Sequence, residues 1–169
     1  MQHYRETGVY GHRSLLIAPD PDYSQEGFRR VMFFTKPDGL FAEFDKTEYL
    51  VPTEKVGDLI WSWYQAPDNL PQFDDYLQID TDNVRDILVC THGAVDVACA
   101  KFGYPIYRHL REKKASDQIR VWRVSHFGGH LYAPTLMEMP KGDYWAYVDH
   151  AIGEQLIDQI GNIQDLHSY

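Results

Sequence analysis

Cysteine is scarce in this chain: Cys90 and Cys99 are the only two among 169 residues, too few for a disulfide framework. Long apolar runs are missing as well. No stretch approaches the roughly 20 residues that cross a bilayer, and the opening Met1-Gln2-His3-Tyr4-Arg5 has no apolar signal-peptide core. Neither a solenoid-type repeat nor a low-complexity tract is present. Basic residues are in deficit, with 16 Lys and Arg against 25 Asp and Glu and a formal charge of -9, so nucleic-acid phosphates and anionic lipids are repelled. These absences set aside a stapled secreted scaffold, a membrane span, a repeat array and a nucleic-acid binder. They lead to the expectation of a soluble cytoplasmic protein.

What is present suffices for a real core, because 44% of the residues are hydrophobic. Ser14 to Ala18 reads as a short strand and Pro19 to Tyr23 as a loop. Arg30 to Thr35 and Leu40 to Asp45 flank Lys36-Pro37-Asp38-Gly39, a reversing turn, so a hairpin is expected. Val51-Pro52 stops the second strand, Thr53 can cap a helix, and Val56, Leu59, Ile60 and Trp63 then share one helical face. Ala66 to Asp75, with Pro67 and Pro71, reads as a surface connection near a boundary between two lobes, 1–85 and 86–169, that together form one compact domain.

The second lobe opens with the buried-strand run Asp86-Ile87-Leu88-Val89. Asp96 then caps a helix running to about Lys114 with an interruption at Pro105. A strand follows at Ile119 to Val124, then a hairpin of Thr135 to Met139 with Tyr144 to Val148, and a closing helix capped by Asp149 and ended by Gly161. Periodicity alone gives an α/β sandwich. The β-α-β-β-α order, with Ala133-Pro134-Thr135 entering the hairpin, resembles a thioredoxin-like sandwich to which an N-terminal hairpin and helix lobe has been added. That resemblance implies a cis peptide before Pro134.

Cys90 and Cys99 form a C-x8-C pair, and His126 and His130 an H-x3-H pair. Singly, a buried cysteine is a small hydrophobe, a histidine a satisfied polar residue and Gly-Gly a turn. Together, soft and borderline donors at the ends of neighbouring strands point to a metal site. Cys99 falls in the first turn of its helix, where the dipole favours a thiolate. Gly128-Gly129 clears side chains from between the histidines. His92 and Asp96 lie inside the cysteine loop as candidates to support the donors, although Asp96 is equally a helix cap. A zinc knuckle spaces its cysteines more tightly than this, and a dithiol reductase wants C-x-x-C, so zinc and thiol chemistry stand behind other metal centres.

Leu88-Val89-Cys90-Thr91-His92-Gly93, then Asp96 and Cys99, then Ser125-His126-Phe127-Gly128-Gly129-His130 with Tyr132-Ala133-Pro134, resemble the sucrase/ferredoxin-like family. The family's members are similar to thioredoxin-like ferredoxins in which two cysteines and two histidines hold a 2Fe–2S cluster. Carried over by residue, the resemblance makes Cys90, Cys99, His126 and His130 the ligands, with the cysteines on one iron and the histidines on the other. The family commonly has an arginine just before the second cysteine, where this chain has Ala98.

The resemblance thus implies a one-electron carrier rather than an enzyme with its own organic substrate. Its partner would be a redox protein, weakly expected to present a basic patch to this acidic chain, and a homodimer is a further expectation. The alternative is a structural or iron- and redox-sensing module that binds zinc, or holds and loses a cluster, through the same four ligands. Replacing two thiolates by neutral imidazoles makes the cluster less negative, which raises its potential; Rieske centres lie at about −150 to +300 mV against about −400 mV for plant-type ferredoxins. Imidazole N–H groups facing solvent would couple electron transfer to proton transfer. The expected outcome is a potential that falls as pH rises, checked by redox titration from mildly acid to strongly alkaline conditions; a flat line rejects the coupling.

Overall fold

A computed structural model of the chain describes residues 12–162 and 164. In chain order its elements are β1 (Phe28–Thr35), β2 (Asp45–Pro52), α1 (Val56–Gln65), β3 (Arg85–Cys90), α2 (Val97–Lys114), β4 (Ile119–Val124), β5 (Leu136–Met139), β6 (Asp143–Trp145) and α3 (His150–Asp158). Strands β1 and β2 form an antiparallel hairpin, and the other four form a sheet in the order β4-β3-β5-β6. Within that sheet β3 and β4 are parallel, while β3 pairs with β5, and β5 with β6, antiparallel. The β-α-β-β-α unit is therefore the α/β sandwich expected, with β3 at its centre and the hairpin added to it. The Ala133–Pro134 peptide is cis, and so is Met139–Pro140, which nothing in the sequence signalled.

Period-two alternation along β3 decides what lies on each face of the sheet. Ile87 and Val89 point to one side and pack with Ile106 and Leu110 of α2 and Ile152, Leu156 and Ile157 of α3. Leu88 and Cys90 point to the other, where Trp122, Val124 and Met139 meet Met32 and Phe34 of the hairpin. The hairpin's outer face is apolar in turn: Phe33, Tyr49 and Val51 bury against Leu59 of α1 and Phe73. Trp63 stacks flat on Phe33 with ring centroids 3.9 Å apart. The layers thus run from α2 and α3 through the sheet and the hairpin to α1.

Charge fills one end of the interface between hairpin and sheet. Asp86 Oδ2 accepts from Lys46 Nζ at 2.6 Å, and its Oδ1 accepts from Arg120 Nε at 2.9 Å and Trp122 Nε1 at 2.8 Å. Glu48 accepts from Arg120 Nη2 at 2.6 Å and also pairs with Arg30. Both carboxylates have no exposed side-chain surface. Burial pulls the Lys46 ammonium below its ordinary pKa despite Asp86 beside it, so the set is costly to assemble.

These contacts explain where the hairpin departs from expectation. Its second strand is Asp45–Pro52, not Leu40 to Asp45, and Thr35 pairs with Asp45 across a longer connection. A strand at 45–52 places Lys46 and Glu48 against Asp86 and Arg120 while Tyr49 and Val51 face α1; Leu40 and Phe41 stay exposed.

Other elements differ more locally. The stretch 14–18 contributes only an isolated bridge, Ile17 to Val124. Thr53 opens a 3-10 turn and does not cap α1. Residues Pro67–Tyr76 are 3-10 turns that lie mostly on the surface, as expected, and are anchored to the core by Phe73. Helix α2 passes through Pro105 without a break, because the proline lies on an exposed face where the carbonyl it cannot bond reaches water. The second strand of the later hairpin stops at Trp145, and Gln159, in the left-handed conformation, ends α3 where Gly161 was expected to.

Removing Asp86 strands two buried cations and an indole N–H. Asp86→Ala is expected to cost about 3–5 kcal/mol, measured by urea unfolding. A loss under about 1 kcal/mol would show that water reaches the network and hydrates its charges.

Candidate metal centre

Parallel pairing puts Cys90 and Val124 in register, so the segments that follow β3 and β4 leave the sheet at the same end. After β3 the chain turns through 91–96 and enters α2, where Asp96 accepts from the backbone N–H of Ala98 at 2.8 Å. This cap is what Asp96 does. It sets the start of the helix, and Cys99 follows in the first turn. One turn later Gly103 lies against β3: a Cβ there would stand 2.1 Å from the Cys90 carbonyl oxygen. Only glycine lets α2 approach closely enough to bring Cys99 over Cys90.

Both cysteines are free and buried, at 0% and 1% exposure. His126 Nδ1 lies 3.7 Å from Cys90 Sγ and 3.9 Å from Cys99 Sγ, and all three donor atoms fall within 4.8 Å of one another. A tetrahedral ion with metal–sulfur bonds of about 2.3 Å and metal–nitrogen bonds of about 2.0–2.1 Å separates such donors by about 3.5–3.8 Å. Cys90, Cys99 and His126 could therefore hold a metal ion nearly as they stand. His130, in the 3-10 turn His130–Tyr132, falls outside this group of three but stands beside it, its ring centroid 5.6 Å from that of His126.

The thiols contradict one expectation. Burial, then the neighbouring Cys90 sulfur, pushes Cys99 up to about 11, and the start of α2 does not offset this. Cys99 is thus a protonated thiol at neutral pH without metal, unsuited to nucleophilic redox catalysis, and a metal that binds it must displace the proton. Burial, followed by the nearby His130, Arg13 and His92, lowers the His126 imidazole, which favours the neutral, ligating form.

The backbone of His126 is held from two sides. His92 Nδ1 accepts its N–H at 3.3 Å, and its carbonyl accepts from Arg13 Nη2 at 3.4 Å. His92, a candidate from the cysteine loop, thus contacts the backbone of His126. Arg13 was not anticipated; a cation reaches the site from far along the chain although Ala98 occupies the position of the family's arginine. Gly128 and Gly129, at φ 113° and 69°, make the bend that only glycine adopts easily. Tyr144 from β6 reaches this bend as well, and no motif pointed to it.

A methyl group at position 103 would press on the Cys90 carbonyl and move the two sulfurs apart. Gly103→Ala is expected to lose about 1–3 kcal/mol of stability and to weaken metal retention, checked by thermal unfolding and metal content. Gly57→Ala is the control: it lies in α1 with nothing within 4 Å of an added Cβ, and should gain stability through helix propensity.

No solved structure matches the chain. A curated relative, altered inheritance of mitochondria protein 32 of the yeast Meyerozyma guilliermondii, is 26% identical over 100 residues, which is 55% of this chain and 35% of that protein. The chain thus spans about a third of the relative's length. Residues 11–167 match the sucrase/ferredoxin-like family, and with that extent of agreement the chain belongs to it.

Proposed function

We propose that this protein is a one-electron carrier whose 2Fe–2S cluster is held by Cys90, Cys99, His126 and His130. The observation that carries the proposal is the convergence of the chain's only two cysteines on His126 at one end of the sheet, with His130 beside them, in a member of the sucrase/ferredoxin-like family. The donor chemistry fits, since thiolates and imidazoles are the ligand types that 2Fe–2S centres use. When bound, such a cluster supplies reversible uptake of a single electron. The protein's part is to bury the two sulfurs, fix the helix start that carries Cys99, and hold His126 by its backbone so that its ring has one orientation.

A second reading has its own support. The two distances from His126 Nδ1 to the sulfurs are close to those around one tetrahedral ion, which favours a mononuclear zinc site in a structural or redox-sensing module. The two readings differ in what they ask of His130: the cluster needs it as a fourth ligand, whereas a single ion keeps three donors without it.

Anaerobic purification with absorption spectroscopy and metal and sulfide counts decides between them. The expected outcome is a coloured protein with about two iron and two sulfide per chain and an EPR signal after reduction, lost or strongly altered in His130→Ala. A colourless, zinc-loaded protein that keeps its zinc in His130→Ala rejects the carrier and leaves the second reading.

A further inference from the structure

The bend that separates the two histidines is held by a residue outside the donor loops. Tyr144 projects from the edge strand β6, and its hydroxyl donates to the Gly128 carbonyl at 3.0 Å. Its ring meets Phe127 edge-on, with centroids 5.5 Å apart and an interplanar angle of 87°. A Cβ on Gly129 would stand 2.1 Å from the Tyr144 hydroxyl oxygen and 3.3 Å from Thr135 Cγ2, so the tip of the phenol rests on bare backbone. Three consecutive residues, 127, 128 and 129, are thus in contact with one side chain, and His126 and His130 lie immediately on either side of them.

A further observation ties this phenol to the cysteine strand. The Thr135 side chain lies beside the phenol, and the Thr135 backbone carbonyl accepts the Cys90 N–H at 3.3 Å. The cysteine strand, the phenol and the histidine bend therefore form one contiguous contact.

We propose that Tyr144 is a positioning residue: its hydroxyl fixes the Phe127–Gly129 bend and so sets the spacing at which His126 and His130 are offered to a metal. The role deepens the metal reading above and rests on it: for a single ion it acts through the placement of His126, and for a cluster through both histidines. Gly129 is its counterpart, since any side chain there displaces the phenol.

Cobalt(II) exchanged into the full-length protein is the probe, because its bands report separately on sulfur ligation and on coordination geometry. In Tyr144→Phe the thiolate-to-cobalt charge-transfer band should persist, since the cysteines are untouched. The d–d bands that report geometry should shift, and affinity should fall roughly 10–100-fold, the usual range for a lost outer hydrogen bond. The melting temperature of the metal-free protein should stay unchanged, a result that a merely structural role would not give. Gly129→Ala should lose affinity too, and the double variant Gly129→Ala with Tyr144→Phe, which removes the colliding oxygen, should recover part of it.

Unaltered d–d bands and affinity in Tyr144→Phe, a loss that only tracks lowered thermal stability, or strictly additive losses in the double variant would each overturn the positioning role while leaving the metal centre in place. Wild-type protein that takes up no cobalt at its thiols would remove the centre itself, and the role of Tyr144 with it.

Discussion

Two carboxylates without solvent, Glu48 and Asp86, can stay charged only if cations reach them from both sides of the interface, and this constraint holds the molecule in register. Lys46 and Arg30 come from the hairpin, and Arg120 from the sheet. A purely apolar hairpin could slide by two residues and still bury a hydrophobic face, because the side-chain period of a strand is two. A charge set that must pair on every member allows no such slip. One face of β3 then reads Asp86, Leu88, Cys90 in sequence. At about 3.3 Å per residue the charged end and the thiol end stand about 13 Å apart, with Leu88, Trp122 and Met139 between them.

The position of Cys90 follows from that register, and the position of Cys99 follows from how closely α2 can lie on β3. The second distance is governed by Gly103, whose hydrogen occupies the place where any Cβ would meet the Cys90 carbonyl. Close approach has an electrostatic consequence. Two thiols packed side by side away from water resist ionisation, and Cys99 shows it. A metal that enters must expel protons, so its apparent affinity rises with pH and the thiols stay inert until it arrives. The same burial that makes the pair a poor redox nucleophile makes it a protected donor pair.

The parts of this molecule legible in sequence are those whose signal is local. The apolar run at Ile87 to Val89, the strand at Ile119 to Val124 and the cap at Asp96 carry their patterns within a few residues. Cys90, Cys99 and His126 were legible because scarce donor types sit at the ends of neighbouring elements, and the structure does bring these three together. What escaped depends on partners distant along the chain. The hairpin's second strand is chosen by Asp86 and Arg120, which the hairpin sequence does not contain. Arg13 bonds His126 across 113 residues, and Tyr144 reaches Gly128 across 16. Pro105 misled for a different reason: the helix continues through it on an exposed face, and exposure is a tertiary property.

Burial also gives the centre a direction. The cysteines are sealed beneath the sheet end and α2, whereas His126 and His130 are only partly covered, so an approaching molecule meets the imidazole side first. Around that side Val95, Leu131, Tyr132 and Tyr147 are exposed apolar or aromatic side chains. The donor loops, 91–98 and 125–135, contain a single carboxylate, Asp96, and it is occupied in capping α2. The net charge of -9 therefore resides elsewhere on the surface. Long-range attraction and close contact would be governed by different groups: the acidic body sets the field around the molecule, and an opening of apolar side chains with Arg13 at its edge sets what is touched. For the carrier proposed above, that separation would allow encounter to be fast without a charged contact holding the pair together.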